Sequence, residues 1–372
     1  MHINLSKEDL LHGVNTVAKA VSSKNSLPIL SGIMISAKDG QITFRATDLE
    51  MAIEYTISGD IIEEGDIVVP GRYFSDLVKS LPAGLIKLEC PDGMNLSIFY
   101  GQSNITVCCF DAAEFPSLPK ADSAVRKQLP APLFRKLIRQ TAIATASDEI
   151  RPVFTGILLE LEDNRIKMVA TDTHRMAISE GTCLGEGNAR LIVPGRTMTE
   201  IARLAVNDDE PVVIIADKAQ VYFYTGNITF ISRVISGQFP DYKSVVPAPS
   251  AFNYQATVNK AGFLESIERA SLISKDQSKV KGNTVKLQWR ENIAFISADV
   301  PDVGKIMEEV PIDFEGNELD CYYNGRYISE CLRVLDEEKF VFRMTGAVTP
   351  AIIVPEQDNS YLYLVLPIRT AN

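Results

Sequence analysis

The sequence predicts an α+β chain built from three tandem copies of one domain. Three observations carry this: motifs that return at a constant offset, an order of elements that repeats in each third, and one helix whose basic and apolar spacing recurs in every copy. Ala46-Thr47-Asp48 returns as Ala170-Thr171-Asp172, and Val69-Pro70-Gly71-Arg72 as Val193-Pro194-Gly195-Arg196, each 124 residues on. Phe115-Pro116 returns as Phe239-Pro240 at the same offset, and Ser297-Ala298-Asp299 and Tyr323-Asn324-Gly325-Arg326 are weaker third echoes. A fixed offset shared by separate motifs marks an internal repeat. The 372 residues then divide into domains expected at 1–123, 124–248 and 249–372, with joints at 120–127 and 246–251, where Pro, Ser and charge cluster.

Each copy opens with a helix. In the first, Ser6-x-x-Asp9 has the form of a capping box ahead of Leu10, Leu11, Val14, Val17 and Val21 at helical spacing. Phe134, Leu137 and Ile138 follow Pro132 in the second copy, and Phe263, Leu264 and Ile267 play the same part in the third. Alternating strands come next around short polar turns: Lys38-Asp39-Gly40, Asp163-Asn164-Arg165 and Arg290-Glu291-Asn292. A second helix follows each Gly-Arg, and β-rich segments such as 211–216 and 221–224 close the copy. Strand exceeds helix.

The second helices carry the strongest pattern. Arg72 and Lys79, Arg196 and Arg203, and Arg326 and Arg333 are each seven residues apart, nearly two helical turns, so each pair shares a face. Apolar residues sit two, five, six and nine positions after the first base: Phe74, Leu77, Val78 and Leu81; Met198, Ile201, Ala202 and Ala205; Ile328, Cys331, Leu332 and Leu335. At about 100° per residue they centre roughly opposite the basic pair. The opening helix of the second copy adds Arg135, Lys136 and Arg139. A basic edge facing away from the packed face suits sequence-independent phosphate contact with a duplex.

Composition sets limits. Hydrophobic residues at 46% and charged residues at 23% describe a globular chain. No apolar run reaches the roughly 20 residues of a membrane helix, and Met1-His2-Ile3-Asn4-Leu5 has no secretory-signal character, so a cytoplasmic protein is expected. The net charge of −11 is an average, compatible with an acidic exterior around a segregated basic surface. Cys90, Cys108, Cys109, Cys183, Cys321 and Cys331 form no C-x-x-C pair and are expected as buried or half-buried reduced thiols. There is no phosphate-binding loop, dinucleotide fingerprint, nucleophile elbow or metal motif, so no catalytic residue, metal or cofactor is expected. Of three histidines, His174 alone lies in a motif-like stretch, Thr171-Asp172-Thr173-His174-Arg175-Met176. A hydrolase using His174 and a protein-binding scaffold with solvated basic faces are the competing readings.

Taken in order, Leu27-Pro28-Ile29-Leu30, Ala46-Thr47-Asp48-Leu49-Glu50-Met51, Val69-Pro70-Gly71-Arg72, Phe115-Pro116, Arg151-Pro152-x-x-x-Gly156, Ala170-Thr171-Asp172-x-His174-Arg175, Phe239-Pro240-Asp241-Tyr242 and Leu366-Pro367-Ile368-Arg369 resemble the bacterial DNA polymerase III beta subunit family, the replicative sliding clamps, over the full length. The resemblance implies three clamp domains, a head-to-tail homodimer closing as a ring, helices lining a central hole and antiparallel sheets outside. It implies double-stranded DNA as a partner, held without sequence preference, together with a clamp loader and with polymerases and repair proteins that dock through a short peptide. The implied DNA-facing set is Lys24, Arg72, Lys79, Arg135, Lys136, Arg139, Arg196, Arg203, Arg326 and Arg333. Pro152 and Val153 stand where some members carry DNA-contacting tyrosines. The implied peptide cleft between the second and third domains comprises Phe154, Thr171, His174, Arg175, Met176, Pro240, Val245, Leu364, Leu366, Pro367, Ile368 and Arg369, with Phe154 and Met176 departing from the usual aliphatic residue and Leu. Ile105, Leu272 and Ile273 map to the dimer interface, and Thr370-Ala371-Asn372 extends past the last motif.

Overall fold

A computed structural model describes residues 1–22, 27–148, 150–274, 283–301 and 303–369. Among them are six α-helices: α1 (Lys7–Val17), α2 (Gly71–Ser80), α3 (Ala131–Ala142), α4 (Gly195–Leu204), α5 (Lys260–Ser274) and α6 (Gly325–Val334), two in each predicted copy. The capping box forms as read: Ser6 Oγ accepts from the Asp9 amide at 3.0 Å and donates to Asp9 Oδ2 at 2.7 Å. Leu10, Val14 and Val17 are buried along α1, while Val21 lies beyond its end. Asp39 and Gly40, at φ +52° and +75°, supply the left-handed pair that a tight hairpin requires.

Two compact units emerge, and they do not follow the thirds. The first contains Met1–Phe134, Leu184–Ala189 and Glu200–Val234; the second contains Arg135–Cys183, Arg190–Thr199 and Ile235–Asn372. The reason is strand pairing. In the first unit, Ile228–Arg233 from the second copy pairs antiparallel with Met51–Ser58 from the first, and a nine-stranded sheet runs through the join. A five-stranded sheet of the same unit ends on Ser103–Cys108. In the second unit, Tyr361–Val365 from the third copy pairs with Arg175–Thr182 from the second inside a twelve-stranded sheet. Backbone hydrogen bonds thus bridge successive copies.

The second half of the expected joint at 120–127 is already ordered as strand. Val125–Leu129 is a strand paired with Val212–Ala216 and Leu184–Glu186. Lys127, whose charge suggested a linker, is buried, and its Nζ donates to the Gly185 carbonyl at 3.1 Å. The cysteines also need one correction: Cys108 is exposed, whereas Cys90, Cys109, Cys183, Cys321 and Cys331 are buried thiols as expected.

The third copy packs around Trp289, the chain's one tryptophan, fully buried with its ring centroid 5.0 Å from Phe342, 6.0 Å from Phe263 and 6.2 Å from Phe314. Such a ring fills space that neighbouring side chains cannot collapse into. Trp289→Ala is expected to cost about 3–5 kcal/mol of stability. Urea unfolding followed by circular dichroism measures it, and Trp289→Phe should recover part of the loss.

Candidate nucleic-acid and peptide interfaces

The three second helices fold as their spacing dictates. Phe74 and Val78 on α2, Met198 and Ile201 on α4, and Ile328, Cys331 and Leu332 on α6 are fully buried, while Leu77 and Ala202 are half-buried. Arg72, Lys79, Arg196, Arg203, Arg326 and Arg333 are all exposed. Apolar burial therefore orients each helix and leaves its basic pair in water.

The same faces carry carboxylates that the basic pattern left out. Lys79 lies 3.8 Å from Asp76, Arg203 lies 2.7 Å from Glu200, and Arg326 lies 2.7 Å from Glu330. Arg333 pairs with Glu268 of α5 at 2.7 Å. On α3, Lys136 pairs with Asp358 at 2.7 Å and Arg139 with Asp336 at 2.6 Å, while Arg135 is half-buried. Burial tends to raise the Asp358 pKa, but the Lys136 ammonium and the Ser360 hydroxyl and amide outweigh it and hold the carboxyl at about 2. Arg72 and Arg196 have no ion-pair partner among the described residues. The field of these helices is thus weaker than a count of bases suggests, and Arg72 and Arg196 carry its uncompensated part. Lys24 lies outside the described residues.

In the second unit three of the twelve expected cleft residues, Met176, Leu364 and Leu366, belong to one apolar cluster. Met176 and Leu364 face each other across the strand pair and pack with Leu158, Val169, Phe239 and Tyr242, with Leu366 half-buried against them. His174 is exposed, and its carbonyl accepts from the Leu366 amide at 2.9 Å. Thr171 is buried with its hydroxyl donated to the Arg175 carbonyl at 2.7 Å. Phe154 sets an edge 6.5 Å from the Phe239 ring and lies under the Arg151 guanidinium at 4.7 Å. Pro240, Val245 and Arg369 are exposed, and Pro367 and Ile368 half-buried. Pro152 and Val153 form a single 3-10 turn with Phe154.

Arg175 is placed differently from the rest. It is buried, with Nε 3.0 Å from Asp172 Oδ2, an ion pair to Glu330, and its guanidinium 4.3 Å over the Tyr327 ring. Burial works against its charge, and the oxygens of Tyr363 and Glu330 more than offset that. Its guanidinium links the start of strand Arg175–Thr182 to α6.

Ile105 sits half-buried on Ser103–Cys108, the end strand of its sheet. Leu272 is exposed and Ile273 half-buried near the end of α5.

Against this geometry, residues 1–119 match the N-terminal domain of the DNA polymerase III beta subunit, residues 128–241 its central domain, and residues 243–369 its C-terminal domain. The chain is 33% identical to the beta sliding clamp of Bacillus subtilis and 32% identical to that of Staphylococcus epidermidis, covering 100% of both partners in each case. The crystal structure of the Bacillus subtilis clamp superposes with a TM-score of 0.95 over 100% of both chains at 32% identity. A Pseudomonas aeruginosa clamp solved bound to griselimycin gives a TM-score of 0.93 at 28% identity, again over 100% of both.

The chain belongs to the DNA polymerase III beta subunit family. It is a DNA sliding clamp of three tandem clamp domains, by family identity a processivity factor. In this clamp the residues that sequence reasoning missed are the acidic partners. Asp76, Glu200 and Glu330 stand three or four residues from a base, a spacing that signals pairing on a helix. Glu268, Asp336 and Asp358 come from remote segments and gave no such signal.

Glu330 joins the two halves of this network, since it accepts from both Arg175 and Arg326. Burial pushes its pKa up, and the two guanidiniums pull it down further, to a net value below the usual 4.5. A depressed folded-state pKa contributes stability that is present above the ordinary glutamate range and lost as pH falls through the lowered value. Glu330→Gln is expected to cost about 1.5–3 kcal/mol at neutral pH and to flatten the fall in melting temperature below pH 4.5. Thermal melts from pH 7 to pH 3 measure both effects.

Proposed function

We propose that this clamp works as a homodimeric ring around duplex DNA, with domains at 1–123, 124–248 and 249–372, and tethers replication and repair proteins through the cleft at its second joint. One observation carries the reading. The closing strand of the second copy pairs with Met51–Ser58 of the first, and the closing strand of the third pairs with Arg175–Thr182 of the second. The counterpart strand of the first copy, Ser103–Cys108, is left at a sheet end, and 304–309 of the third copy pairs only with Ile293–Val300 among the described residues. Each chain therefore holds one edge of each kind. A second copy supplies the missing partner for both, and two such head-to-tail contacts close on themselves. Ile105 on the first edge, and Leu272 and Ile273 on α5, which packs beside the second, fit that contact.

Retention in such a ring is topological, so contacts with DNA need only be weak and unregistered. Exposed bases held in part by neighbouring carboxylates meet that need, because no phosphate position is strongly preferred. The peptide cleft would be floored by Met176, Leu364 and Leu366, with Phe154, Pro240 and Val245 at its margin and His174 at its mouth. Apolar side chains of a docking peptide would supply most of the binding.

The expected result for DNA is that the purified clamp, once loaded, stays on closed circular DNA and is lost within the same interval when that DNA is linearised. Equal loss from both forms would overturn the ring. Arg72→Ala with Arg196→Ala should flatten the dependence of log affinity on log salt by about 0.9 for each phosphate no longer neutralised, and Arg203→Ala with Arg333→Ala should flatten it less. For the cleft, a Gln-x-x-Leu-Phe peptide should bind, and Met176→Asp should weaken it at least tenfold by fluorescence polarisation. Undiminished binding in that variant removes the cleft assignment.

A further inference from the structure

A groove of about 510 Å³ in the first unit is lined by Tyr222, Tyr224, Ile215 and Ile231, with Lys120 and Arg126 among the polar residues at its border. Its floor is a small apolar cluster of Ala52, Tyr222 and Ile231, with Leu118, Ala121, Ile215 and Tyr224 half-buried around it. Strand register shows what this place is. Ala52 pairs with Ile231, and Ile231 with Tyr222. At the second joint Met176 pairs with Leu364, and Leu364 with Ile352. Ala52, Tyr222 and Ile231 thus hold at the first joint the positions that Met176, Ile352 and Leu364 hold in the second cluster, and Leu118 precedes Tyr242 by the repeat offset of 124.

The groove is the internal duplicate of the cleft, but its charge differs. Lys120 and Arg126 are exposed and have no ion-pair partner among the described residues. The one carboxylate in the lining, Glu54, is neutralised by Arg45 at 2.6 Å. Tyr222 donates its hydroxyl to Gln220 Oε1 at 2.8 Å and to the Lys120 carbonyl at 3.2 Å, which fixes the backbone at Lys120 beside the apolar floor. Its volume lies within the range of small-ligand and side-chain pockets. Apolar floor, aromatic walls and uncompensated positive charge at the border select one class of occupant.

We propose that this first-joint groove is a second docking site, for a linear peptide that carries an apolar anchor flanked by acidic residues. The anchor covers the half-buried Ile215 and Tyr224 side chains above the Tyr222–Ile231 floor, and the acidic flank lies against Lys120 and Arg126. The choice of a peptide as occupant rests on reading the second joint as a peptide cleft; the acidic flank rests on the charge of this groove alone. Two sites of one ancestry and unlike charge would let one chain hold two partners of different sequence at once.

The test uses two fluorescein-labelled peptides of one apolar sequence, Asp-Glu-Asp-Leu-Phe-Leu and Asn-Gln-Asn-Leu-Phe-Leu, titrated into the full-length protein at low salt. The acidic peptide is expected to fill two sites per chain and the neutral one a single site. Lys120→Glu with Arg126→Glu, both at exposed positions, should weaken the first-joint site about tenfold and leave one site, with the circular dichroism spectrum unchanged. Met176→Asp should remove the other site. One site per chain that Met176→Asp abolishes overturns this proposal and keeps the cleft; one site that only the charge reversal abolishes does the opposite. Two sites that survive the reversal, or no binding at all, overturn it.

Discussion

The structure depends on one constraint: a β-strand edge must be satisfied. A single copy of this domain would end on open backbone donors and acceptors, and the chain resolves this at its two joints by passing the closing strands of the second and third copies to the copy before them. Ile228–Arg233 completes the sheet of the first copy, and Tyr361–Val365 that of the second. The apolar clusters at both joints exist because these pairings set Ile231 against Ala52 and Leu364 against Met176. The apolar clusters at the two joints are thus products of strand addition, each made from two copies.

The helices answer to a different rule. Burial of one stripe decides which way α2, α4 and α6 face, and the bases follow because they lie opposite that stripe. Their carboxylate partners then set how much of the charge is felt. A pair such as Arg333 and Glu268 in water is worth little in stability, yet it lowers the field that a phosphate would meet. Arg175 shows the contrast: buried and shared between Asp172, Glu330 and the Tyr327 ring, it is committed to the fold.

Much of this was legible in the sequence because it is local or periodic. The capping box at Ser6, the Asp39-Gly40 turn, the seven-residue basic spacing and the offset of 124 all depend on residues close together or regularly spaced. What escaped notice was set by partners far along the chain. Within the joint at 120–127, nothing nearby reveals that a strand begins at Val125 or that the Gly185 carbonyl accepts from the Lys127 ammonium. His174 and Arg175 stand together in the implied cleft, but His174 is exposed while Arg175 is buried and paired with Glu330 of α6, a partner 155 residues away. The groove at the first joint was invisible for the same reason, since its walls come from segments about a hundred residues apart.

The edge left in the third copy has a bearing on aggregation. A long, flat, apolar edge would recruit any strand that drifted near and seed disordered stacking. Here the stretch carries Lys305, Glu308 and Glu309, and Lys305 is held by Asp299 at 2.7 Å. Charges at such spacing act as gatekeepers against aggregation, since indiscriminate strand addition would force like charges together or strip them of water. The same few side chains thus make this open edge a poor template for indiscriminate strand addition.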